Sequence, residues 1–185
     1  MIDGSTDPVT GLVQEYGRMV FTCAHRILGE PSGAEDVLQN VFLKVLKLKP
    51  AKRESVTEWG AYLRVLTTRE AIDQLRRNAR REDSLAFPDQ SPGSPDDHPH
   101  HQLDRAEKSR RLRQMLKKIS AKDARVFVLR YFEDMSYEEI ARSLDMSVNK
   151  VGVVLHRVRA RLKDQLSQDR SAFGAPQLGK QGGVS

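Results

Sequence analysis

The chain has 185 residues and a mass of 21.0 kDa, enough for one ordinary domain or two small ones. Only 38% of its residues are hydrophobic and 6% aromatic, so any core is thin, and two compact helical units suit it better than one large sheet. Lys and Arg number 31 against 25 Asp and Glu, a net +6 that favours a polyanionic partner, either nucleic acid or an anionic membrane surface. No run of about 18 apolar residues is present, so membrane insertion is not expected. Met1 to Pro8, with Asp3 and Asp7, does not read as a secretion signal. The single cysteine, Cys23, excludes an internal disulfide and fits a reducing cytosol, so the expected location is cytoplasmic.

From Leu12 the apolar positions Leu12, Tyr16, Met19, Val20, Cys23, Ile27 and Leu28 trace one helical face, ended by Gly29-Glu30-Pro31. Ser32 and Glu35 have capping-box spacing and open a second helix. That helix carries Ala34, Val37, Leu38, Val41, Phe42, Val45 and Leu46 and stops at Lys49-Pro50. A basic loop is expected through Arg53. Ser55 and Glu58 repeat the capping box before a long helix to about Arg80. Its stripe, Ala61, Val65, Thr68, Ile72, Leu75 and Ala79, is thinner, which suggests one face packed and another kept for a partner.

Glu82 to Leu103 contains Pro88, Pro92, Pro95 and Pro99 among Ser, Asp and His, and reads as a flexible linker. Fully extended it reaches about 75 Å. The second unit places Leu112, Met115, Leu116 and Ile119 on one face. Ser120 then caps a helix bearing Ala124, Phe127, Val128 and Tyr131. After a break at Glu133-Asp134-Met135, Ser136 and Glu139 form a third capping box for a short helix with Ile140, Ala141 and Leu144. Asp145-Met146-Ser147 turns the chain into a last helix with Val148, Val151, Leu155, Val158 and Leu162 facing inward. The expected fold is all-α, two small helical domains at 8–81 and 104–167, joined by a linker at 82–103 and followed by a disordered tail at 168–185.

The segment Tyr137–Leu162 has the pattern of a helix-turn-helix. It places small Ala141 at the crossing, Asp145 at a turn position that tolerates positive φ, and Val151 as the apolar lock. Asn149, Lys150, Arg157, Arg159, Arg161 and Lys163 line its exposed side, suited to phosphates, with Asn149 placed to reach base edges. On the long helix of the first unit, Tyr62, Arg69, Asp73, Arg76 and Arg80 form one strip, with Arg77 and Arg81 beside it and Trp59 at its start. Cations for a backbone and rings for unpaired bases suit single-stranded DNA; the plainer alternative makes Trp59 and Tyr62 core residues and the arginines solvated. Cys23 and His25 point to different sides of a helix, and Cys23 reads as a buried inert thiol. His98, His100 and His101 cluster in the linker. No nucleotide, zinc or nucleophile motif is present, and no cofactor or catalytic site is expected.

The stretch from about Leu12 to Leu166 resembles bacterial RNA polymerase sigma factors of the extracytoplasmic-function (ECF) group. Ala34-Glu35-Asp36-Val37-Leu38-Gln39-Asn40-Val41-Phe42 is similar to that family's region 2 signature. Tyr62-Leu63 through Ala71-Ile72-Asp73-Gln74-Leu75-Arg76-Arg77 is similar to its promoter-melting helix, and Tyr137 to Leu162 to its region 4 helix-turn-helix. The resemblance implies a region 2-like bundle and a region 4-like helix-turn-helix in a transcription initiation factor. Asp36, Gln39 and Phe42 would dock on the β′ clamp of core RNA polymerase, whose β flap is a further expected contact. Trp59, Tyr62, Arg69, Asp73, Arg76 and Arg77 would capture the opened minus-ten element, and Asn149, Lys150, Val153, Arg157 and Arg159 the minus-thirty-five duplex. An anti-sigma protein is an expected partner beside promoter DNA. The family usually has Asn where Arg69 stands and polar or basic residues around Gly152-Val153-Val154, of which Val153 suits a thymine methyl. The rival readings are a sigma-like helix-turn-helix regulator and a partner-bound interaction protein, neither of which initiates transcription.

Overall fold

The structure, a computed structural model, describes the backbone of residues 8–85 and 99–173 and the side chains of residues 9–81 and 107–164. Eight helices make up these residues: α1 (Pro8–Leu28), α2 (Pro31–Leu46), α3 (Pro50–Glu54), α4 (Trp59–Leu85), α5 (Pro99–Lys118), α6 (Ala121–Tyr131), α7 (Tyr137–Ser143) and α8 (Val148–Phe173). No strand occurs among them. The all-α expectation holds, and the expected helices follow in the expected order with α3 added among them.

The first body is a bundle of α1, α2 and α4. Val20, Cys23 and Ile27 of α1 meet Val37, Val41 and Val45 of α2 and Leu63, Ile72 and Leu75 of α4, all buried. These are the i, i+3, i+4 stripes of the sequence, and β-branched residues fill the narrow space between close helices. The second body packs α6 on α8 and α7, with Phe127, Ile140, Val151, Leu155 and Val158 at its centre and Leu116 of α5 at its side. The two bodies also touch: α4 packs against α5, α6 and α7, and Arg26 of α1 reaches Glu133 in the turn after α6.

Several local expectations are corrected. Helix α2 begins at Pro31, with extended Glu30 (φ −133°, ψ 139°) at its cap and no side-chain capping bond, so Ser32 and Glu35 form no box. Proline at the first position presets φ and lacks a donor that would go unpaired, so the helix starts before Ser32 is reached. Pro50 acts the same way and converts the expected loop into α3. Ser55 then ends that helix, its hydroxyl donating to the Lys52 carbonyl at 2.8 Å, instead of capping α4. Pro99 starts α5, so Glu82–Leu85 and Pro99–Leu103, the ends of the expected linker, are helical. Helix α8 likewise continues to Phe173, so the first part of the expected disordered tail is helical. The rest of the linker with His98, the rest of the tail, and residues 1–7 lie outside the described residues, as do the side chains of His100 and His101.

Candidate nucleic-acid and partner surfaces

The helix-turn-helix forms as its residue pattern requires. Ser136 accepts from the Glu139 amide at 3.1 Å, and Glu139 Oε2 accepts from the Ser136 amide at 2.7 Å, a complete capping box. Those bonds favour the ionised carboxylate and hold Glu139 below the usual carboxylate range. The turn is closed by the Met146 amide on the Ala141 carbonyl at 2.9 Å, with Asp145 at φ 50° in the left-handed region. Ala141 is buried at the crossing, and Val151 seals α8 onto it.

Helix α8 buries Val151, Val154, Leu155 and Val158 and turns Asn149, Lys150, Val153 and Arg157 outward on one stripe, with Arg159 at its flank. Val153 is 62% exposed, and Val154, its neighbour in sequence, is core. The hydroxyl oxygen of Ser147 accepts from the Lys150 amide and caps the stripe's N-terminal end. Arg157 is anchored: one of its amino groups donates to Asp123 Oδ1 at 2.7 Å, a carboxylate at the start of α6 that is almost fully enclosed. This anchor was not foreseen, because Asp123 lies 34 residues away and only the packing of α6 on α8 joins them.

On α4 the residues Trp59, Tyr62, Arg69, Asp73, Arg76 and Arg77 do fall on one strip. The Trp59 and Tyr62 rings meet edge to face at 5.6 Å, both half-buried against the first body. Arg69 and Arg77 are exposed. Asp73 and Arg76 are engaged by the second body: Arg125 of α6 donates to Asp73 Oδ1 at 2.9 Å, and Arg76 donates to the Ile119 carbonyl at 2.6 Å. Further along, Glu133 of the α6–α7 turn has a side chain only 3% exposed, 2.9 Å from Arg26 and 3.7 Å from Arg64. Burial pushes its carboxyl up from the ordinary value despite the two arginines.

On α2, Asp36 and Gln39 are exposed while Phe42 is buried at the bundle's edge. Leu43 and Leu46 are about half exposed beside them. The periodicity placed Leu46 in the core and passed over Leu43, since a stripe that continues past the neighbouring helix looks the same in sequence. Cys23 is buried, 3.8 Å from the Thr68 hydroxyl, and burial drives its thiol far above the ordinary range, as an inert core thiol requires. Among the described residues no group of His, Cys, Asp and Glu is placed to hold a metal, and no helix is long and apolar enough to cross a membrane.

Two family models match the chain: sigma-70 region 2 over residues 12–81 and sigma-70 region 4 over residues 109–162. The RNA polymerase sigma factor YlaC of Bacillus subtilis is 29% identical over 167 residues, covering 89% of this chain and 95% of that one. The RNA polymerase sigma-E factor of Streptomyces coelicolor is 33% identical over 147 residues, 77% of each chain. Among solved structures, the sigma factor RpoE in complex with the anti-sigma factor NepR from Bartonella quintana shares the fold, with a TM-score of 0.56 at 21% identity over 86% of this chain and 97% of that one.

Proposed function

The chain belongs to the sigma-70 family of RNA polymerase sigma factors, in the ECF group, and from that premise we propose how its surfaces divide the work of a transcription initiation factor. A sigma factor is not an enzyme; it binds core RNA polymerase and promoter DNA, so the residues to assign are contacts and not catalysts. The two exposed faces of α2 and α8, on separate bodies, carry the assignment. On α2, Asp36 and Gln39 flank the half-exposed Leu43 and Leu46, with Phe42 supporting them from below. An apolar pair rimmed by polar groups is the anatomy of a protein-binding surface, and we assign it to the β′ clamp. On α8, Asn149 and Lys150 stand at the helix N-terminus where a major groove would receive it, Arg157 and Arg159 reach phosphates, and Val153 offers a methyl contact for thymine.

The α4 strip receives the opened minus-ten strand. Trp59 and Tyr62 supply stacking faces and Arg69, Arg76 and Arg77 follow the backbone, while Asp73 is an acceptor for a base edge. Stacking is worth roughly 1–3 kcal/mol per base, and each opened step costs on the order of 1.4 kcal/mol, so two rings cannot open a promoter alone and polymerase must supply the remainder. A soluble factor of this kind works in the cytoplasm. Both bodies are natural targets for an anti-sigma protein, since covering α2 on the first or α8 on the second silences the factor.

The test is reconstitution with core polymerase, followed by sequencing of the RNA 5′ ends from a promoter library. Defined start sites above the core-only background are expected. Asp36→Ala with Leu43→Ala is expected to weaken core binding about tenfold without changing the affinity of the chain for upstream duplex. Unchanged core binding by that variant would overturn the assignment of α2.

A further inference from the structure

Arg157 is held from outside its own helix. One of its amino groups donates to Asp123 Oδ1 at 2.7 Å, while half of the side chain stays open to solvent. The acceptor cannot move to follow it. The Asp123 side chain is enclosed, its amide donates to the Ser120 hydroxyl oxygen at 3.1 Å, and the adjoining Ala124, Phe127 and Val128 seat α6 in the core. Arg157 itself leaves a turn of α8 whose Val154, Leu155 and Val158 are buried. Both ends of the bridge are rigid, so the guanidinium keeps one orientation. On the same outward stripe, Val153 stands one turn before Arg157, and Asn149 stands about 12 Å before it along the axis.

A phosphate contact carries no sequence information by itself, but it fixes register. An arginine with free torsions reaches a phosphate in any register and strengthens right and wrong sites alike. A fixed guanidinium reaches its phosphate only in the register that sets Asn149 and Val153 over their bases. The Asp123 carboxylate also cancels the charge of Arg157 beyond hydrogen-bond range, which lowers the long-range pull towards any duplex.

We propose that Asp123 is a positioning residue for recognition of the upstream duplex. It makes no contact with DNA; it makes the bond between Arg157 and phosphate conditional on register, and so acts on specificity more than on affinity. This rests on the reading of α8 as the duplex-reading helix. Ordering one long side chain is worth about three- to tenfold in affinity, and that is the share of the discrimination between right and wrong duplex that Asp123 supplies.

The test measures two affinities of holoenzyme carrying the full chain. One is for the duplex upstream of a start site mapped in the promoter library, the other for a shuffled duplex of the same composition. Asp123→Ala is expected to lower the ratio of the two about three- to tenfold, with the affinity for shuffled duplex equal or about twofold higher. Asp123→Asn, which keeps an acceptor for Arg157 but no charge, is expected to recover about half of that loss on a logarithmic scale. Arg157→Lys keeps the charge but has no second nitrogen to bridge carboxylate and phosphate together, so the salt slope should stay and the ratio should fall as in Asp123→Ala. Val126→Ala truncates a buried residue of the same helix and is the structural control: its melting temperature should fall and its ratio should stay native. An unchanged ratio in Asp123→Ala overturns the proposal, and so does an equal loss on both duplexes. If Arg157→Ala weakens upstream binding while the ratio of Asp123→Ala stays native, the positioning role alone fails. If Arg157→Ala also leaves both affinities native, the reading of α8 fails with it. Circular dichroism checks the fold, and should Asp123→Ala unfold, Asp123→Asn gives the same comparison with about a two- to threefold fall in the ratio.

Discussion

Replacing Arg157 by alanine separates two roles that one side chain performs. Its guanidinium is 51% exposed and yet lies 2.7 Å from Asp123, whose side chain is 8% exposed. Removing it strips an enclosed carboxylate of its charged partner, a loss of about 1–3 kcal/mol. The lower end applies, about 1–2 kcal/mol, because Asp123 is in the first turn of α6, where the helix dipole favours negative charge, and because solvent screens a half-exposed arginine. At roughly 4–8 °C per kcal/mol for a domain of this size, the melting temperature should fall by roughly 5–15 °C. On the proposed reading of α8 the exposed half contacts a phosphate, worth about 0.9 in the slope of log affinity against log salt. Adding Asp123→Asn removes the stranded charge, so the double variant should regain at least half of the lost melting temperature while its salt slope stays about one unit low. Thermal denaturation followed by circular dichroism gives the first quantity. Anisotropy of holoenzyme on upstream duplex between about 50 and 200 mM salt gives the second. If Asp123→Asn restored the slope, or if Arg157→Ala changed neither quantity, the anchored-arginine argument would fail.

Three further outcomes follow from the same geometry. Trp59→Ala should weaken holoenzyme binding to a pre-opened minus-ten template about tenfold, from a single lost stacking face, and leave upstream duplex binding unchanged; an equal loss on both would show a folding defect instead. Glu139 is held below its ordinary value of 4.5 by the capping box, so it contributes stability above that value that is lost as pH falls through the lowered one. The native second domain should therefore lose melting temperature more steeply than Glu139→Gln between about pH 5 and about pH 3, and parallel curves would remove the carboxylate from the account. Glu133, facing Cys23, Arg26, Arg64 and Asp134, is raised by burial, so the folded chain binds its proton more tightly than the unfolded one, and stability is lost as pH rises through the raised value. The melting temperature of the native chain should therefore fall relative to that of Glu133→Gln as pH rises through that value; parallel curves in thermal denaturation would assign the trend to another group.

Much of this was legible from spacing alone. The stripes of α1, α2, α6 and α8 became the buried faces except at Leu46, Tyr131 and Val148, which are exposed at the ends of their helices, and the third capping box formed atom for atom because Ser136 and Glu139 are local partners with no competitor. The failures share a cause. Pro31, Pro50 and Pro99 were read as stops, whereas a proline at the first position of a helix is a start, and the difference lies in which side the apolar pattern continues. Leu43 went unread and Leu46 was placed in the core because periodicity reports which residues share a face but not how far the neighbouring helix extends over it. Arg125, Asp123 and Glu133 were invisible for another reason: each finds its partner 34 to 107 residues away, and nothing in a linear pattern marks such a pair.

The thin stripe of α4 shows what a sequence leaves ambiguous. One face carries Leu63, Ala71, Ile72 and Leu75, and on the other strip Asp73 and Arg76 bond Arg125 and the Ile119 carbonyl of the second body. Charged contacts of this partly exposed kind are individually worth about 0–1 kcal/mol, whereas Met115, Leu116 and Ile119 of the second body are buried in the same apolar core as α4, and that burial contributes more. A stripe that mixes apolar and charged residues therefore reads as a face kept for an outside partner even where part of it meets the chain's own second body.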